Sequence, residues 1–268
     1  MSRSILNYGE RIHRRAEFEF HRLGFEKINQ EFIWAMLSLP SEVVLNIDTS
    51  GKAYIVKLSE GNGFHVPSVY NLKTEGISSI LHVHNHPPEV PGEPVYRDGH
   101  NLFSLADWLM NVDGGKFISL LSTNSEKSTA SAIVMDISSP DIQTKQSAYR
   151  GEIMNNLLED FIDTYIKSHN INLTNRPYKQ RLYYIVDEFN DHLQSLTPDE
   201  RKAILESIIK FAEDKGITVT RYNLVEEDGM QRYISFIKSL GEVPSLSPPP
   251  WTSRLRSLAT QFWKKSRN

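Results

Sequence analysis

The sequence predicts an α/β protein, in which a mixed sheet flanked by helices is followed by a mostly helical C-terminal region. β-branched runs alternate with helical patterns up to about residue 136, and the pattern from about 144 to 240 is mostly helical. The 39% of hydrophobic residues can bury a sizeable core. These shifts predict a first domain at 1–142, a helical accessory domain at 143–243, and a Pro-rich linker with a tail at 244–268.

The first half predicts alternating elements. Residues 9–37 are rich in helix formers and predict helix. The elements expected after it are strands at 42–48 and 53–58 joined by a turn at 49–52, an irregular segment at 59–76, a strand at 77–86 ended by Pro87-Pro88, a helix from Phe103 to Met110, and two adjacent strands at 117–121 and 130–136.

The second half contains clear helix signals. An apolar stripe recurs at helical spacing between Ile153 and Tyr165. Thr197 is predicted as the N-cap of a later helix, with Pro198 at its first position and Glu200 closing a capping box. This helix is expected to stop at Gly216, and a short strand at 217–220 follows.

Composition excludes several classes of function. The chain has no cysteine, which removes disulfides, Cys-type zinc sites and thiol nucleophiles. The formal net charge of -3 gives no reason to expect nucleic-acid binding. No segment has the apolar character of a signal peptide or a membrane span, so we expect a cytoplasmic protein, with export by a signal-independent route as the alternative.

A group of histidines and an aspartate predicts a metal site. His82, His84 and His86 alternate on a predicted strand and would point to one face. A catalytic zinc ion takes three protein ligands and leaves a fourth position to water. Asp107, on the following helix, is the candidate third ligand, and Ser104 lies one turn earlier on the same helical face. A solvated strand face without metal is the alternative.

Hydrolysis at such a site needs further groups. Zinc lowers the pKa of a bound water towards about 7, and a carboxylate outside the metal ligands must move the proton to the leaving group. Glu42 is the candidate for this role, with Glu31 and Glu60 in reserve. Ser104 is a candidate to donate a hydrogen bond to the oxyanion, and also a candidate helix N-cap.

The motif His84-Asn85-His86-Pro87, followed by Ser104-Leu105-Ala106-Asp107, resembles the signature of the JAMM (MPN-type) metalloprotease family, in particular its RadC-like bacterial branch. The resemblance covers roughly residues 10 to 137. It implies a JAMM-like mixed sheet, zinc bound by the two histidines and the aspartate, and an oxyanion role for Ser104. It also implies that Glu42 is the general acid/base and that the substrate is a protein or peptide conjugate.

The spacing departs from the family in one place. Seventeen residues separate His86 from Ser104, where the family usually has about seven, so the segment 87–103 contains an insertion. The insertion would form a specificity lid, or Asp98 or His100 within it would complete the site in place of Asp107. Otherwise His100 is an ordinary loop histidine.

The tail 251–268 is basic and amphipathic, with its aromatic and leucine residues at helical spacing. It predicts contact with a membrane surface or an acidic partner, or else a terminal helix packed on its own domain. The favoured function is zinc-dependent hydrolysis of peptide or isopeptide bonds. The alternatives are a non-catalytic MPN-like scaffold for protein partners and a RadC-like DNA-associated protein.

Overall fold

The computed structural model describes residues 18–39, 42–58, 79–86, 102–110, 116–123, 128–137, 150–169 and 181–241. The strands within these ranges are β1 (Phe18–Leu23), β2 (Val44–Asp48), β3 (Ala53–Leu58), β4 (Ser79–His86), β5 (Phe117–Thr123), β6 (Ala130–Asp136) and β7 (Thr218–Asn223). The α-helices are α1 (Gln30–Ser38), α2 (Leu105–Met110), α3 (Arg150–His169), α4 (Arg181–Ser195), α5 (Pro198–Asp214) and α6 (Glu227–Gly241).

The seven strands form one mixed sheet in the order β1-β3-β2-β4-β5-β6-β7. Neighbouring strands pair antiparallel, except that β4 and β5 pair in parallel. A parallel pair needs a crossover connection, and α2 lies in the segment that joins these two strands. The predicted α/β class, with a mixed sheet flanked by helices, is confirmed.

Helices cover both faces of the sheet. On one face, buried residues of α1 and α6 pack with Leu81, Val83 and other apolar strand residues. On the other face, α2, α3, α4 and α5 pack with Ile118, Leu120 and their neighbours. Strand β5 alternates between the two cores, and β4 places Leu81 and Val83 in the first core and its histidines on the second face, as the period of two along a strand requires. The central strands are therefore buried on both sides.

Local signals set several helix ends as predicted. The Thr197 side chain accepts a hydrogen bond from the Glu200 N–H, and the Glu200 carboxylate accepts one from the Thr197 N–H, which completes the capping box. Pro198 occupies the first helical position of α5. Beyond the end of α5, Gly216 adopts a φ of 96°, a left-handed conformation that glycine adopts without strain.

The N-terminal prediction was wrong in part. Helix was expected throughout 9–37, but Phe18–Leu23 forms β1, which pairs antiparallel with β3 at the edge of the sheet. Its sequence, Phe-Glu-Phe-His-Arg-Leu, begins with the apolar–polar alternation of a half-buried strand, which the helix-forming residues around it obscured. Helix α1 begins later, after Asn29, whose side chain accepts from the Phe32 N–H.

The second half of the chain contributes to the same sheet. The predicted short strand is present as β7, which pairs with β6, and α6 packs against the core on the face of α1. The boundary predicted between residues 142 and 143 lies outside the described residues, and it remains a prediction. Within the part of the chain that the structure covers, no helix is both long and apolar enough to cross a membrane.

Candidate metal centre

Strand β4 carries three histidines at the centre of the sheet. His82, His84 and His86 point to one face, and Leu81 and Val83 point to the other. The strand is paired on both sides, and the three imidazoles are buried, with exposed fractions of 5%, 2% and 2%. The structure thus places the histidines on the shared face that the sequence predicted.

Helix α2 brings Asp107 against two of these histidines. Its Oδ1 lies 3.2 Å from His84 Nε2, and its Oδ2 lies 3.3 Å from His86 Nε2. Ser104 orients the carboxylate, because the Ser104 N–H donates to Asp107 Oδ2 at 2.6 Å. The ligand atoms of the two histidines and the aspartate all lie within 4.8 Å of one another. The three residues predicted as ligands are therefore together, and they could hold a metal ion.

The geometry and the donor set suit a tetrahedral ion. Ligand atoms on a tetrahedral ion with bonds of about 2.0 Å are about 3.3 Å apart, and each histidine Nε2 lies at about this distance from its own oxygen of Asp107, His84 from Oδ1 and His86 from Oδ2. The Nδ1 of His84 has no hydrogen-bond partner among the residues that the structure describes, although buried polar atoms normally have one, and its Nε2 faces the carboxylate of Asp107. Two imidazoles and one carboxylate suit zinc in a site that keeps a position for water.

The charge state of Asp107 favours cation binding. Burial alone raises the pKa of this carboxyl, but the imidazoles of His84 and His86, with His84 the stronger, outweigh burial and hold the pKa well below its usual range. Asp107 is therefore ionised at neutral pH. His82 differs, because burial, and next the charge of His84, lower its pKa to about 3. It stays neutral and lies outside the group of candidate ligands.

Glu42 lies beside this group. It precedes β2 by two residues, and extending the register of Val44 with His84 places it opposite His86. Its exposed fraction is 7%. Burial raises the pKa of Glu42 to about 8, against a smaller lowering by His86 and together with a small raising by Asp107. Glu42 is thus largely protonated at neutral pH without a metal, and a nearby cation would favour its ionised form.

The reserve carboxylates are placed differently. Glu31 is exposed on α1, which packs on the opposite face of the sheet from the histidines. Glu60 lies outside the described residues. Glu42 is therefore the carboxylate that the structure brings next to the two histidines and Asp107.

Ser104 has the geometry of a helix N-cap. Its Oγ accepts a hydrogen bond from the Asp107 N–H at 3.2 Å, and its own N–H donates to the Asp107 carboxylate. The hydroxyl oxygen acts as an acceptor in this contact, which leaves the hydroxyl proton to donate elsewhere. Capping by Ser104 is thus compatible with the predicted hydrogen bond to an oxyanion.

Asn85 had no role of its own predicted from the sequence. Its side chain is fully buried, and its Oδ1 accepts a hydrogen bond from the Val43 N–H at 2.8 Å. The available signal was a polar amide within a predicted strand, where a polar group that becomes buried needs a specific partner.

Several predicted features lie outside the described residues. They are Pro87, the insertion from 87 to 101 with Asp98 and His100, the linker, and the tail 251–268.

Comparisons with known proteins give no relative for this fold and site. No family model, no curated protein and no solved structure matches the chain.

Proposed function

We propose that the protein is a zinc-dependent hydrolase that cleaves peptide or isopeptide bonds. The observation that carries the proposal is the burial of Glu42 beside the His84, His86 and Asp107 group. A structural metal site needs ligands alone, whereas a hydrolytic site also needs a carboxylate that can carry a proton. This chain supplies both on one face of one sheet.

The motif supports a place in the JAMM family as part of the proposal. The residues of His-x-His-Pro and Ser-x-x-Asp that fall within the described ranges lie on the elements that the resemblance implies. The histidines lie on a central strand, Asp107 lies on the next helix with Ser104 just before its first residue, and Glu42 lies two residues before an earlier strand. The long interval between His86 and Ser104 does not separate the two halves of the motif, since Asp107 reaches both histidines.

Each residue has a defined task in this proposal. His84, His86 and Asp107 would hold zinc, which when bound lowers the pKa of a coordinated water and polarises the substrate carbonyl. Glu42 accepts the proton of the attacking water and delivers it to the leaving amine. Ser104 donates a hydrogen bond from its hydroxyl to the oxygen of the tetrahedral intermediate.

The two alternative functions have less support. A scaffold that binds partners without catalysis has no need for a buried aspartate aligned with two histidines, or for a buried glutamate beside them. DNA binding needs a basic surface, and the chain has a formal net charge of -3. We retain the hydrolase as the proposed function.

Zinc content tests the metal site. The purified wild-type chain should contain about one zinc per molecule, and His84→Ala and Asp107→Ala should contain little, because each change removes one of three ligands. His192→Ala is the matched control, because His192 lies on α4, outside the candidate ligand group. Full occupancy in both ligand variants would overturn the site.

Hydrolysis tests the role of Glu42. Zinc-loaded protein is assayed on a fluorogenic peptide library and on a Gly–Lys isopeptide conjugate. Glu42→Gln should retain zinc and lose activity by about 100-fold or more, as expected for loss of a general acid/base. Glu31→Gln is the control, since this exposed glutamate lies on α1, away from the histidines. Equal rates in the two variants would contradict the assignment.

A further inference from the structure

Glu42 lies outside the paired part of β2 and is nevertheless buried. The β2–β4 ladder begins at the pair Val44 and His84, so Glu42 and Val43 precede the paired residues. A carboxylate two residues outside a strand would ordinarily be free to move with its connecting segment. Glu42 and Val43 are nevertheless almost fully buried, with exposed fractions of 7% and 6%.

The hydrogen bond from Val43 to Asn85 continues the pairing beyond the end of the ladder. The Val43 N–H belongs to the peptide group that joins Glu42 to Val43, and it donates to Asn85 Oδ1 at 2.8 Å. Asn85 is fully buried, so water does not compete for this bond. The side chain of one β4 residue therefore fixes the backbone immediately after Glu42.

Asn85 also lies between the two histidines on the same strand. His84 and His86 flank it, and all three pair with β5 on their other side, in register with Leu120, Leu121 and Ser122. The bond to Val43 consequently ties Glu42 to the rigid segment that presents the two imidazoles. Strand β4 therefore sets the distance between the Glu42 carboxylate and the candidate ligands His84 and His86.

We propose that Asn85 is the positioning residue for Glu42, an inference that rests on the proposed hydrolase function. It holds the peptide group after Glu42 so that the carboxylate stays opposite His86. Alternation along β4 places the Asn85 side chain on the face of Leu81 and Val83, opposite the histidines, so its effect passes through the backbone. The structure therefore assigns it to proton transfer and not to metal binding.

The expected consequence is a selective loss of turnover. Asn85→Leu keeps the approximate volume of the side chain and removes the acceptor for the Val43 N–H. A displacement of a catalytic group by about 1 Å costs about 100-fold in rate, and we expect kcat to fall by about that factor. Zinc content and KM should stay near wild type, because His84, His86 and Asp107 are held by β5 and by Ser104.

Two further variants separate positioning from general destabilisation. Asn85→Asp keeps an oxygen that accepts from the Val43 N–H and should recover most of the lost kcat. Tyr233→Phe is the matched control, since it removes a buried hydrogen bond of 2.8 Å to Ser119 on the sheet face away from the histidines. The control should lose stability and keep kcat.

The experiment measures zinc content, kcat, KM and NMR spectra of the zinc-loaded full chain at one pH. A loss of kcat in Asn85→Leu with zinc retained, and recovery in Asn85→Asp, supports the proposal. Wild-type kcat in Asn85→Leu overturns it, as does loss of zinc, which would place the effect on the ligands. If Asn85→Leu does not fold, Asn85→Ala and the aspartate variant are compared by the same criteria.

NMR separates failure of this proposal from failure of the proposed function. If the wild-type chain binds zinc but cleaves neither substrate, hydrolysis is refuted by that result alone. The positioning of Glu42 is then judged by the carboxyl carbon resonance of Glu42 and the amide resonance of Val43. Both should shift in Asn85→Leu and stay unchanged in Tyr233→Phe, and an unchanged Glu42 resonance in Asn85→Leu would overturn the inference.

Discussion

The two faces of β4 carry opposite kinds of side chain, apolar on one and polar on the other. Leu81 and Val83 point into an apolar core with α1 and α6. His82, His84 and His86 point to the other face, where Glu42 and Asp107 are buried with them. One strand thus contributes to a conventional core on one side and to a polar cluster on the other.

The difference separates residues that stabilise the fold from residues that cost stability. Burying an apolar side chain is favourable, whereas burying a polar group without a partner is costly. His82 Nδ1 and His84 Nδ1 have no hydrogen-bond partner among the described residues. A cost of this kind, held in place by a well-packed opposite face, is expected at a functional site.

Zinc binding should produce the largest change in the unfolding free energy, and this change should depend on the polar face alone. A ligand that binds only the folded state raises the unfolding free energy by about 4 kcal/mol when its concentration is about 1,000 times its dissociation constant. Wild type should show this gain in urea unfolding with zinc, and Asp107→Ala should not. Leu81→Ala should unfold more easily but keep the full gain, and a smaller gain in Leu81→Ala would mean that the faces are coupled.

Placing a polar group on the apolar face should cause the next largest change in the unfolding free energy. Val83→Asn loses the burial of a fully enclosed side chain and places an amide among apolar neighbours. We expect the unfolding free energy to fall by about 3 kcal/mol, measured by urea unfolding without metal. The folded fraction should still bind zinc with the wild-type stoichiometry. A loss below about 1 kcal/mol would show that this face accommodates polar groups as the histidine face does.

The opposite exchange on the polar face should stabilise the metal-free protein. His82→Leu removes a buried imidazole with an unpaired nitrogen, and we expect a gain of about 2 kcal/mol at pH 7. The gain should grow as the pH falls, because burial lowers the pKa of His82 from 6.5 to about 3. Between these values the unfolded chain binds a proton that the folded wild type does not.

Urea unfolding at pH 7 and pH 5.5 checks this prediction. Zinc content should be unchanged, since His82 lies outside the candidate ligand group. A destabilised His82→Leu protein would show instead that the imidazole has a partner that stabilises the fold.

Local periodicity explains how much of the fold and site could be predicted. The alternation along 79–86 placed three histidines on one face, because a period of two is a property of any strand. The helix start at Thr197 was equally predictable, since capping involves residues three apart. The meeting of Asp107 with His84 and His86 was implied by the resemblance of the motif, although the long interval 87–103 had left Asp98 and His100 as alternatives.

Long-range pairing was beyond the reach of the sequence. β7 was expected as a strand, but its place beside β6 depends on contacts with a distant part of the chain. β1 was missed because its short alternation lies among helix-forming residues. The burial of Glu42 and its link to Asn85 also arise from the β2–β4 register, which no local pattern encodes.

The smallest expected effect tests whether Glu42 belongs to the polar face. Burial raises the pKa of Glu42 from 4.5 to about 8. Between these values the folded metal-free protein holds a proton that the unfolded chain has released, so stability falls as the pH rises. Glu42→Gln cannot ionise, and the wild type should lose about 1 kcal/mol relative to it between pH 6 and pH 7.

The unfolding free energy is measured in urea as a function of pH, on protein from which a chelator has removed metal. Val83→Ala is the control and should follow the wild-type pH dependence. If the unfolding free energies of wild type and Glu42→Gln change with pH in parallel, Glu42 is exposed to water and does not belong to the buried polar group of His84, His86 and Asp107. Saturating zinc should remove the difference in slope, because a cation beside the carboxylate favours its ionised form. A pH slope that zinc abolishes would connect Glu42 with the metal centre, without any substrate having to be known.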